Sequence, residues 1–509
     1  MAQRQIWTIF GVVGNFLFRI LAQNSYLCGM GRAEILKREI AKIPMAVGII
    51  PFAMGIFFGD RFALALWLPL MGAVVTVAGA IALTKWLRGV AIFCSLFFAG
   101  ALLHSLSYRG EVRFNTPVEM TLKIVSSSTS RGGYTSAEAT IEESQEAALE
   151  RRKVVVWGDS LMHLNAGDRL HLTTPIFPFR AERERYARLM HHRGFVGAVS
   201  VNHRAVYEYL PTERKTLHDR AVARLQGAME EGDGRAVALA MTTGEKGEIT
   251  SALREKYSSS GTSHLLAVSG LHIGIAFLLI NLLLLPLVLF HYGNVVRSVV
   301  AVALIWLYVW LCGFSPSAVR AAIMFSALQL SFASLRNYSS INILASTAFL
   351  MLAFDSHLLF DISFQLSFIA VAAILLWAVP LIRVCRTRNR FVDTLVSVML
   401  VGTASTIATI PLVSSTFSIV SIVGILINPL VILLANATLL SGILTFAIPR
   451  LGAIAVWCAE WQNRAVEWAA SLPYGHFSFT LPEWAVWLAY AVMATATTLF
   501  FLLRGEKRR

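Results

Sequence analysis

The sequence predicts a polytopic α-helical membrane protein with about 12 transmembrane segments and one small soluble β-barrel insert, because apolar runs of roughly 20 residues recur along it. The chain has 509 residues, of which 56% are hydrophobic and only 15% are charged. Soluble domains contain about 25% charged residues, and the mean hydropathy of +0.63 also favours a membrane protein. Residues 109–210 lack long apolar runs and are assigned to the insert.

Three apolar runs near the N-terminus, at about 44–58, 62–83 and 89–107, predict three transmembrane helices within residues 44–108. Lys and Arg residues precede the first run and separate the second run from the third. Because cytoplasmic loops are enriched in Lys and Arg, residues 1–43 are predicted to form an N-terminal cytoplasmic segment. The third helix then delivers the insert to the extracytoplasmic side.

The insert alternates apolar and polar residues over short stretches that Gly, Asp and Ser clusters separate. About five strands are predicted, at 120–124, 137–141, 154–156, 170–172 and 205–207. With one predicted helix over 181–192, this pattern is typical of a small closed barrel such as an OB-fold. None of the five cysteines lies in the insert and no CxxC occurs, so neither a disulfide nor a zinc–thiolate site is expected.

Hydropathy divides the remaining chain into four regions. Interfacial helices are predicted for 211–260, a transmembrane core for 261–450, an amphipathic interfacial helix for 451–482, and a last transmembrane helix with a basic tail for 483–509. The apolar segments lie at about 264–290, 298–313, 318–335, 340–354, 362–381, 391–413, 416–434, 437–449 and 484–504. The basic loop after residue 381 and the basic C-terminus both fall in the cytoplasm if 416–449 crosses twice.

Four polar clusters interrupt the predicted membrane core. The first is Gly261–Gly274, the second is Gly313–Ala321, the third is Phe360–Phe368, and the fourth is Asn428-Pro429, which is predicted to break a helix. Polar groups at bilayer depth are costly unless they face a cavity or a partner. We therefore take ten residues as pore or translocation candidates: His264, Ser269, Gly270, His272, Ser317, Arg320, Asp361, Gln365, Ser367 and Asn428.

Each cluster also has a purely structural explanation, which the sequence leaves open. Serines often donate to carbonyl groups of their own helix, Asp361 can cap a helix at the interface, and Arg320 can extend to the lipid headgroups. A path through a bilayer uses polar stripes, broken helices and a cation that holds an anion. The presence of all four clusters in one bundle favours such a path.

Four ordered motifs are similar to those of the ComEC competence family of DNA-uptake channels. They are His264–Ile273, Pro316–Ala321, Asn342–Ala345 and Phe364–Phe368. The insert resembles the OB-like domain of that family, and Tyr186–Leu189 with Arg193-Gly194 is similar to the tail of that domain. The resemblance covers about residues 44–505.

This resemblance implies the passage of single-stranded DNA across the bacterial inner membrane during natural transformation. The implied partners are single-stranded DNA, the lipid bilayer, and a separate nuclease, DNA receptor and cytoplasmic ATPase; no oligomeric state is predicted. Many members of the family carry a C-terminal metallo-β-lactamase-like domain, whereas no HxHxDH pattern occurs here. We therefore expect a channel-only member without enzymatic activity, cofactor or metal.

A basic run in the insert is the best candidate for contact with DNA. Single-strand binders combine a basic groove with aromatic stacking, and Trp157 follows the run Arg151, Arg152 and Lys153 on one predicted strand. Residues 109–230, however, carry eighteen basic and fifteen acidic side chains. This near balance argues against a strong electrostatic footprint.

Two other functions stay open. Val268-Ser269-Gly270 resembles the serine–glycine core of rhomboid-type proteases, and two histidines lie within five residues of it, so an intramembrane serine hydrolase is one alternative. A nucleophile needs a base within hydrogen-bond reach, and the flanking pattern is not rhomboid-like. The second alternative is a transporter of another polyanion, such as a cell-wall or lipid-linked polymer, because its pore would need the same chemistry.

Overall fold

The computed structural model of the chain is mainly helical and contains one small curled sheet. It describes residues 43–506 except 63–64, 108–116, 130–134, 159–166, 180–186, 188–189, 192, 202–206, 211–216, 267, 334–338, 387–388, 418, 422 and 473–475. The sheet follows the first three described helices along the chain, and a larger helical part follows the sheet.

The first three described helices pack together ahead of the sheet. They are α1 (Pro44–Phe62), α2 (Trp67–Ala82) and α3 (Lys85–Ser107). The backbones of α1 and α3 touch, because a Cβ atom built at Gly100 would lie 2.1 Å from the carbonyl oxygen of Phe52. One built at Gly55 would lie 1.8 Å from the carbonyl oxygen of Phe97. Only glycine permits this approach of two helices.

The insert forms a six-stranded sheet in its described residues. Its strands are β1 (Val118–Thr129), β2 (Thr135–Ser144), β3 (Lys153–Gly158), β4 (Arg169–Thr174), β5 (Phe195–Val201) and β6 (Tyr207–Leu210). They lie in the order β5–β3–β2–β1–β4–β6, and only β3 and β5 are parallel neighbours. Two hydrogen bonds of 2.8 Å between Phe177 and Ala198 join the segment after β4 to β5, so the sheet curls.

The apolar residues that alternate along β1 lie on the buried face of the sheet, as the sequence pattern predicts. Met120, Leu122 and Ile124 are at most 1% exposed. The sequence pattern misses β5, because this strand is apolar on both faces. Its Val199 belongs to the main core of the sheet, whereas Phe195 packs on the other side. Most of the helix predicted at 181–192 lies outside the described residues.

Thirteen helices follow the sheet in the described part of the chain. They are α4 (Leu217–Gln226), α5 (Asp233–Thr243), α6 (Ser251–Ser259), α7 (Gly270–Leu283), α8 (Gly293–Leu311), α9 (Pro316–Ala333), α10 (Ser340–Phe354), α11 (Ile362–Ala373), α12 (Val379–Val384), α13 (Arg390–Phe417), α14 (Val423–Thr445), α15 (Gly452–Ser471) and α16 (Glu483–Glu506). A π-turn, Ile374–Ala378, joins α11 to α12. Two short antiparallel strands, β7 (Ile419–Ser421) and β8 (His476–Ser478), complete this part.

The core of this helical part forms around α5, whose residues Ala236–Met241 are almost fully buried against α14 and α15. Along α15, Ala455 and Ala459 enter the same core, whereas Trp457 and Trp461 are 59% and 45% exposed. This helix therefore has the amphipathic distribution that the sequence indicates.

Six helices in the described residues are long and apolar enough to cross a membrane, compared with the predicted total of about 12 spans. They are Pro44–Phe62, Leu87–Ser107, Gly293–Leu311, Ile362–Val384, Val392–Phe417 and Leu426–Thr445. Four shorter apolar helices of 10–17 residues coincide with other predicted segments: Trp67–Ala82, Gly270–Leu283, Ser317–Leu330 and Ser340–Phe354.

The prediction of separate segments at 416–434 and 437–449 is wrong, because α14 is one helix of 23 residues. Pro429 lies inside α14 without ending it, so the predicted break at Asn428-Pro429 is also wrong. Proline removes one backbone hydrogen bond, but membrane helices tolerate this loss when neighbouring helices enclose them. The buried residues Val431, Ala435 and Leu439 pack α14 into the core beyond the proline. In the described part of 418–449, one helix is long and apolar enough to span, Leu426–Thr445, where the prediction assumed two crossings over 416–449.

Gly100→Ala is expected to lower the melting temperature of the full chain in detergent, because the added methyl group would force α1 and α3 apart. Overpacking of this kind costs about 1–3 kcal/mol. Gly89→Ala is the matched control, since Gly89 lies in the same helix and a Cβ atom there meets nothing within 4 Å. This control should be neutral or stabilise by roughly 0.5–1 kcal/mol. Equal melting temperatures for the two variants would contradict the close packing.

Candidate functional site

The first polar cluster is placed at the start of α7. Ser269 caps this helix: its side chain accepts a hydrogen bond from the backbone N–H of His272, and Nδ1 of His272 accepts one from the N–H of Ser269 at 3.2 Å. This reciprocal pair is a capping box. Because Nδ1 accepts, a neutral imidazole carries its proton on Nε2. In the described structure Nε2 is buried without a hydrogen-bond partner, so a donor points unpaired into the bundle.

The second cluster lies directly against the first. The helix α9 begins at Pro316, and the hydroxyl of Ser317 donates to the carbonyl oxygen of Val268, one residue before the cap of α7. A Cβ atom built at Gly270 would lie 3.8 Å from the Cβ of Ala321. The first turns of α7 and α9 therefore pack side by side.

The turn between α8 and α9 has an unusual backbone. Gly313 has φ 68° and Phe314 has φ 51°, and the left-handed region is unfavourable for a bulky residue. The N–H of Phe314 donates to the carbonyl of Val309 at 3.0 Å, which holds the turn against the end of α8. Local strain of this kind persists when the surroundings fix it, and it is concentrated at functional sites.

Arg320 lies one turn inside α9 and is the central charged group of the site. Its side chain is 5% exposed, and neither Nε nor Nη1 has a hydrogen-bond partner in the described structure. Asp361 attracts it electrostatically. Because the guanidinium is buried inside the bundle, the alternative that Arg320 extends to the headgroups is disfavoured. A buried cation with free donors is costly unless it serves an anion.

The third cluster approaches the same point but is largely occupied by local contacts. Asp361 caps α11, since its Oδ1 accepts from the N–H of Phe364 at 2.9 Å. Gln365 is buried and donates to the carbonyl of Leu359 at 2.9 Å. The helix-cap explanation for Asp361 is therefore correct, although its charge also acts on Arg320.

The remaining candidates lie around this junction. Asn428 is in α14, which packs against α5, α7 and α13, and its Oδ1 is buried without a partner in the described structure. Ser367 is half-buried in α11. His264 is exposed in a short 3₁₀ turn (Ser263–Leu266) ahead of α7. The site thus centres on Ser269, Ser317 and Arg320 rather than on all ten candidates equally.

The sequence contains no indication of a side-chain pair, His218 and Glu245, that supports the turn between α8 and α9. His218 in α4 donates from Nδ1 to the carbonyl of Leu311 at 2.6 Å, and its Nε2 lies 3.6 Å from a carboxylate oxygen of Glu245. The contact with Glu245 raises the pKa of His218, and the same contact lowers the pKa of Glu245. Sequence spacing carries no signal for this contact, because the fold alone joins these distant residues.

The insert places its candidates differently from the prediction. Arg151 lies in a turn with φ 62°, Arg152 follows it outside any strand, and β3 begins only at Lys153. Their assignment to a strand is wrong, because a left-handed residue interrupts extended backbone. Lys153 and the overlooked Arg193 lie 5.9 and 5.7 Å from the centroid of the Phe195 ring. Trp157 is 40% exposed and, four residues after Lys153, points to the same face of β3.

Within the described residues, no group of three His, Cys, Asp or Glu side chains is placed to hold a metal ion.

A family model described as "Competence protein" matches residues 241–505, which is more than half of the chain. The chain belongs to the competence protein family. The match includes all four polar clusters and lies after the sheet, so it confirms the family resemblance where the site is found.

Three relatives extend this result. An uncharacterized protein of Aquifex aeolicus is 29% identical over 61% of this chain and 67% of its own length. The uncharacterized protein YcaI of Escherichia coli is 27% identical over 32% of this chain, and ComE operon protein 3 of Bacillus subtilis is 30% identical over 27%. These matches cover only 22% and 17% of the latter two proteins. No solved structure matches the chain.

We expect the pair formed by His218 and Glu245 to make the stability of the full chain depend on pH. The raised pKa of His218 stabilises the fold below its ordinary value of 6.5, and this contribution is lost as the pH rises through the folded-state pKa. The lowered pKa of Glu245 stabilises the fold above 4.5, and this contribution is lost as the pH falls through its folded-state pKa.

His218→Gln should therefore flatten the decline of the melting temperature above pH 6.5, by roughly 1–3 °C. Glu245→Gln should remove the same component, and the double variant should add little to either change. His291→Gln is the control, because His291 is exposed. If His218→Gln left the pH dependence of the melting temperature unchanged, the pair formed by His218 and Glu245 would not be charged.

Proposed function

We propose that this protein forms the path by which single-stranded DNA crosses the bacterial inner membrane during natural transformation. The observation that carries the proposal is the buried, incompletely bonded guanidinium of Arg320 at the junction of the polar clusters. Membership in the competence family supports DNA as the substrate. The two alternatives, a hydrolase and a transporter of another polyanion, are weighed against the same geometry.

The helix directions favour an anion at this junction. The contact between Ser317 and Val268 brings together the N-termini of α7 and α9, and Asp361 at the N-terminus of α11 is close enough to act on Arg320. Each helix N-terminus carries a partial positive charge and can bind phosphate. The N-termini of α7 and α9 and the guanidinium of Arg320 form a positive centre suited to successive phosphates of a nucleic acid strand, and the carboxylate of Asp361 offsets part of this charge.

The contacts of Ser269 disfavour the hydrolase. The imidazole of His272 meets the backbone N–H of Ser269 and not its hydroxyl, while the hydroxyl oxygen accepts from the helix. A serine nucleophile needs a base that takes its own proton. Ser269 is therefore better explained as a helix cap at a constriction, and we propose that the protein is not an enzyme.

A transporter of another polyanion would use the same positive centre, because phosphate and carboxylate polymers both need cations and backbone N–H groups. Family membership favours DNA over these polymers. We further propose that a separate nuclease, DNA receptor and cytoplasmic ATPase work with this protein.

We also propose that the insert is an OB-like barrel on the extracytoplasmic side. Five strands in the order β5–β3–β2–β1–β4, with β3 and β5 parallel, and the bridge between Phe177 and Ala198 support a partly open five-stranded barrel. Lys153, Trp157 and Arg193 would give it a small basic and aromatic surface for a single strand.

Arg320→Ala in the chromosomal gene of a competent host is expected to lower the transformation frequency about 10- to 100-fold, since charged hydrogen bonds to phosphate are lost. DNA binding at the cell surface should not change. Arg320→Lys should be intermediate, because it keeps the charge but loses the planar fork. Arg386→Ala is the matched control, as that side chain is 82% exposed. Normal transformation by Arg320→Ala at normal protein level would reject the proposed path.

Substitutions of Ser269 separate the channel from the hydrolase. Ser269→Asn should retain transformation because asparagine also caps helices, Ser269→Ala should lose about 1 kcal/mol of helix stability, and Ser269→Leu should block. A hydrolase would lose activity in all three variants and would react with a fluorophosphonate probe. Labelling of the wild-type protein at Ser269, together with an inactive Ser269→Asn variant, would reject the channel assignment.

A further inference from the structure

A polar cavity lies between the three helices α7, α8 and α9, at the ends opposite to the positive centre. It has a volume of about 270 Å³ and is lined by Phe277, Asn281, Asn294, Arg297, Ser298 and Gln329. The residues come from the end of α7, the start of α8 and the end of α9, whereas Ser269, Ser317 and Arg320 lie near the other ends. The cavity is therefore separate from the positive centre described above.

The polar groups of this cavity are only partly satisfied. Arg297 donates from Nη2 to the carbonyl of Asn281 at 3.1 Å, but its Nε is buried without a hydrogen-bond partner. Gln329 is 3% exposed; its amide nitrogen donates to the hydroxyl of Ser298 at 3.2 Å, while its Oε1 has no partner. The contact of Arg297 with Asn281 is explained as a cap on the last turns of α7. The Nε donor of Arg297 and the Oε1 acceptor of Gln329 remain unpaired in the described structure. Unpaired buried groups are destabilising.

A ligand for this cavity must therefore contain both an anionic acceptor and a hydrogen-bond donor. The acceptor would meet Nε of Arg297, and the donor would meet Oε1 of Gln329. A phosphodiester whose headgroup has a hydroxyl or a primary ammonium satisfies both requirements. The phosphodiester backbone of DNA has the acceptor but no such donor.

The surroundings of the cavity favour a lipid. Leu278 and Leu282 of α7 are 70% and 64% exposed, and Val299 of α8 is 59% exposed. The connection between these helices exposes Leu289 and Tyr292 by 88% and 71%. Apolar helix faces next to an aromatic residue are typical of the membrane boundary. Acyl chains can lie along these faces while the headgroup enters the cavity.

We propose that the cavity formed by Asn281, Arg297 and Gln329 is a phospholipid headgroup site that selects phosphatidylglycerol or phosphatidylethanolamine. The phosphate binds Arg297, and the hydroxyl or ammonium of the headgroup binds Gln329. This proposal does not rest on the proposed DNA path. Lipid binding and transformation are measured separately, so either proposal can fail without the other.

Native mass spectrometry of the full chain in detergent tests the site, with phosphatidylglycerol, phosphatidylethanolamine, phosphatidylcholine and diacylglycerol as added lipids. Wild-type protein should retain the first two at least about tenfold more tightly than the others, because phosphatidylcholine lacks the donor and diacylglycerol lacks the phosphate. Arg297→Gln should weaken retention of the first two lipids about tenfold. Arg386→Gln, at an exposed arginine, should leave retention unchanged.

Gln329→Met gives a second test that keeps the size of the side chain. It should remove the preference for phosphatidylethanolamine over phosphatidylcholine while the protein stays monodisperse. Equal lipid retention by wild type, Arg297→Gln and Gln329→Met would overturn the proposal. Displacement of the lipid by inorganic phosphate alone would also overturn it in favour of a free anion site, and displacement by an oligodeoxynucleotide would overturn it in favour of a second DNA contact.

Discussion

The hydrogen bond from Ser317 to the carbonyl of Val268 is the contact on which the rest of the site depends. It fixes the start of α9 against the residue that precedes the cap of α7. The capping box of Ser269 and His272 then sets the direction of α7, and Arg320 follows one turn later in α9. Both helices are short and apolar, and apolar packing is not directional. The polar contact where both helices begin therefore fixes their relative position.

The electrostatics follow from these helix directions. Positive helix ends and a buried arginine repel one another unless an acidic group or a bound anion is present. Asp361 supplies part of the compensation, yet two nitrogens of Arg320 remain without partners in the described structure. Unpaired buried donors of this kind are costly. In the proposed DNA path a phosphate would relieve this cost, whereas a fully paired arginine would bind the strand less tightly.

Local features could be predicted from the sequence, whereas long-range contacts could not. Alternation predicted the first strands, because it depends on neighbouring residues. The continuous helix α14 was missed because proline usually ends helices, while here enclosure by α5 and α15 overrides it. The contact of His218 with Leu311 and the cavity around Gln329 are formed by residues that are distant in sequence. No local sequence pattern predicts them.

The π-turn at Ile374–Ala378 divides the span Ile362–Val384 into two halves. One extra residue in a turn rotates everything beyond it by about 100°, and Trp377 anchors the turn by donating to Thr497 at 3.0 Å. The face that carries Gln365 therefore does not continue along the second half. In the proposed path, a strand that follows this helix would therefore meet the polar side chains of α11 only before the turn.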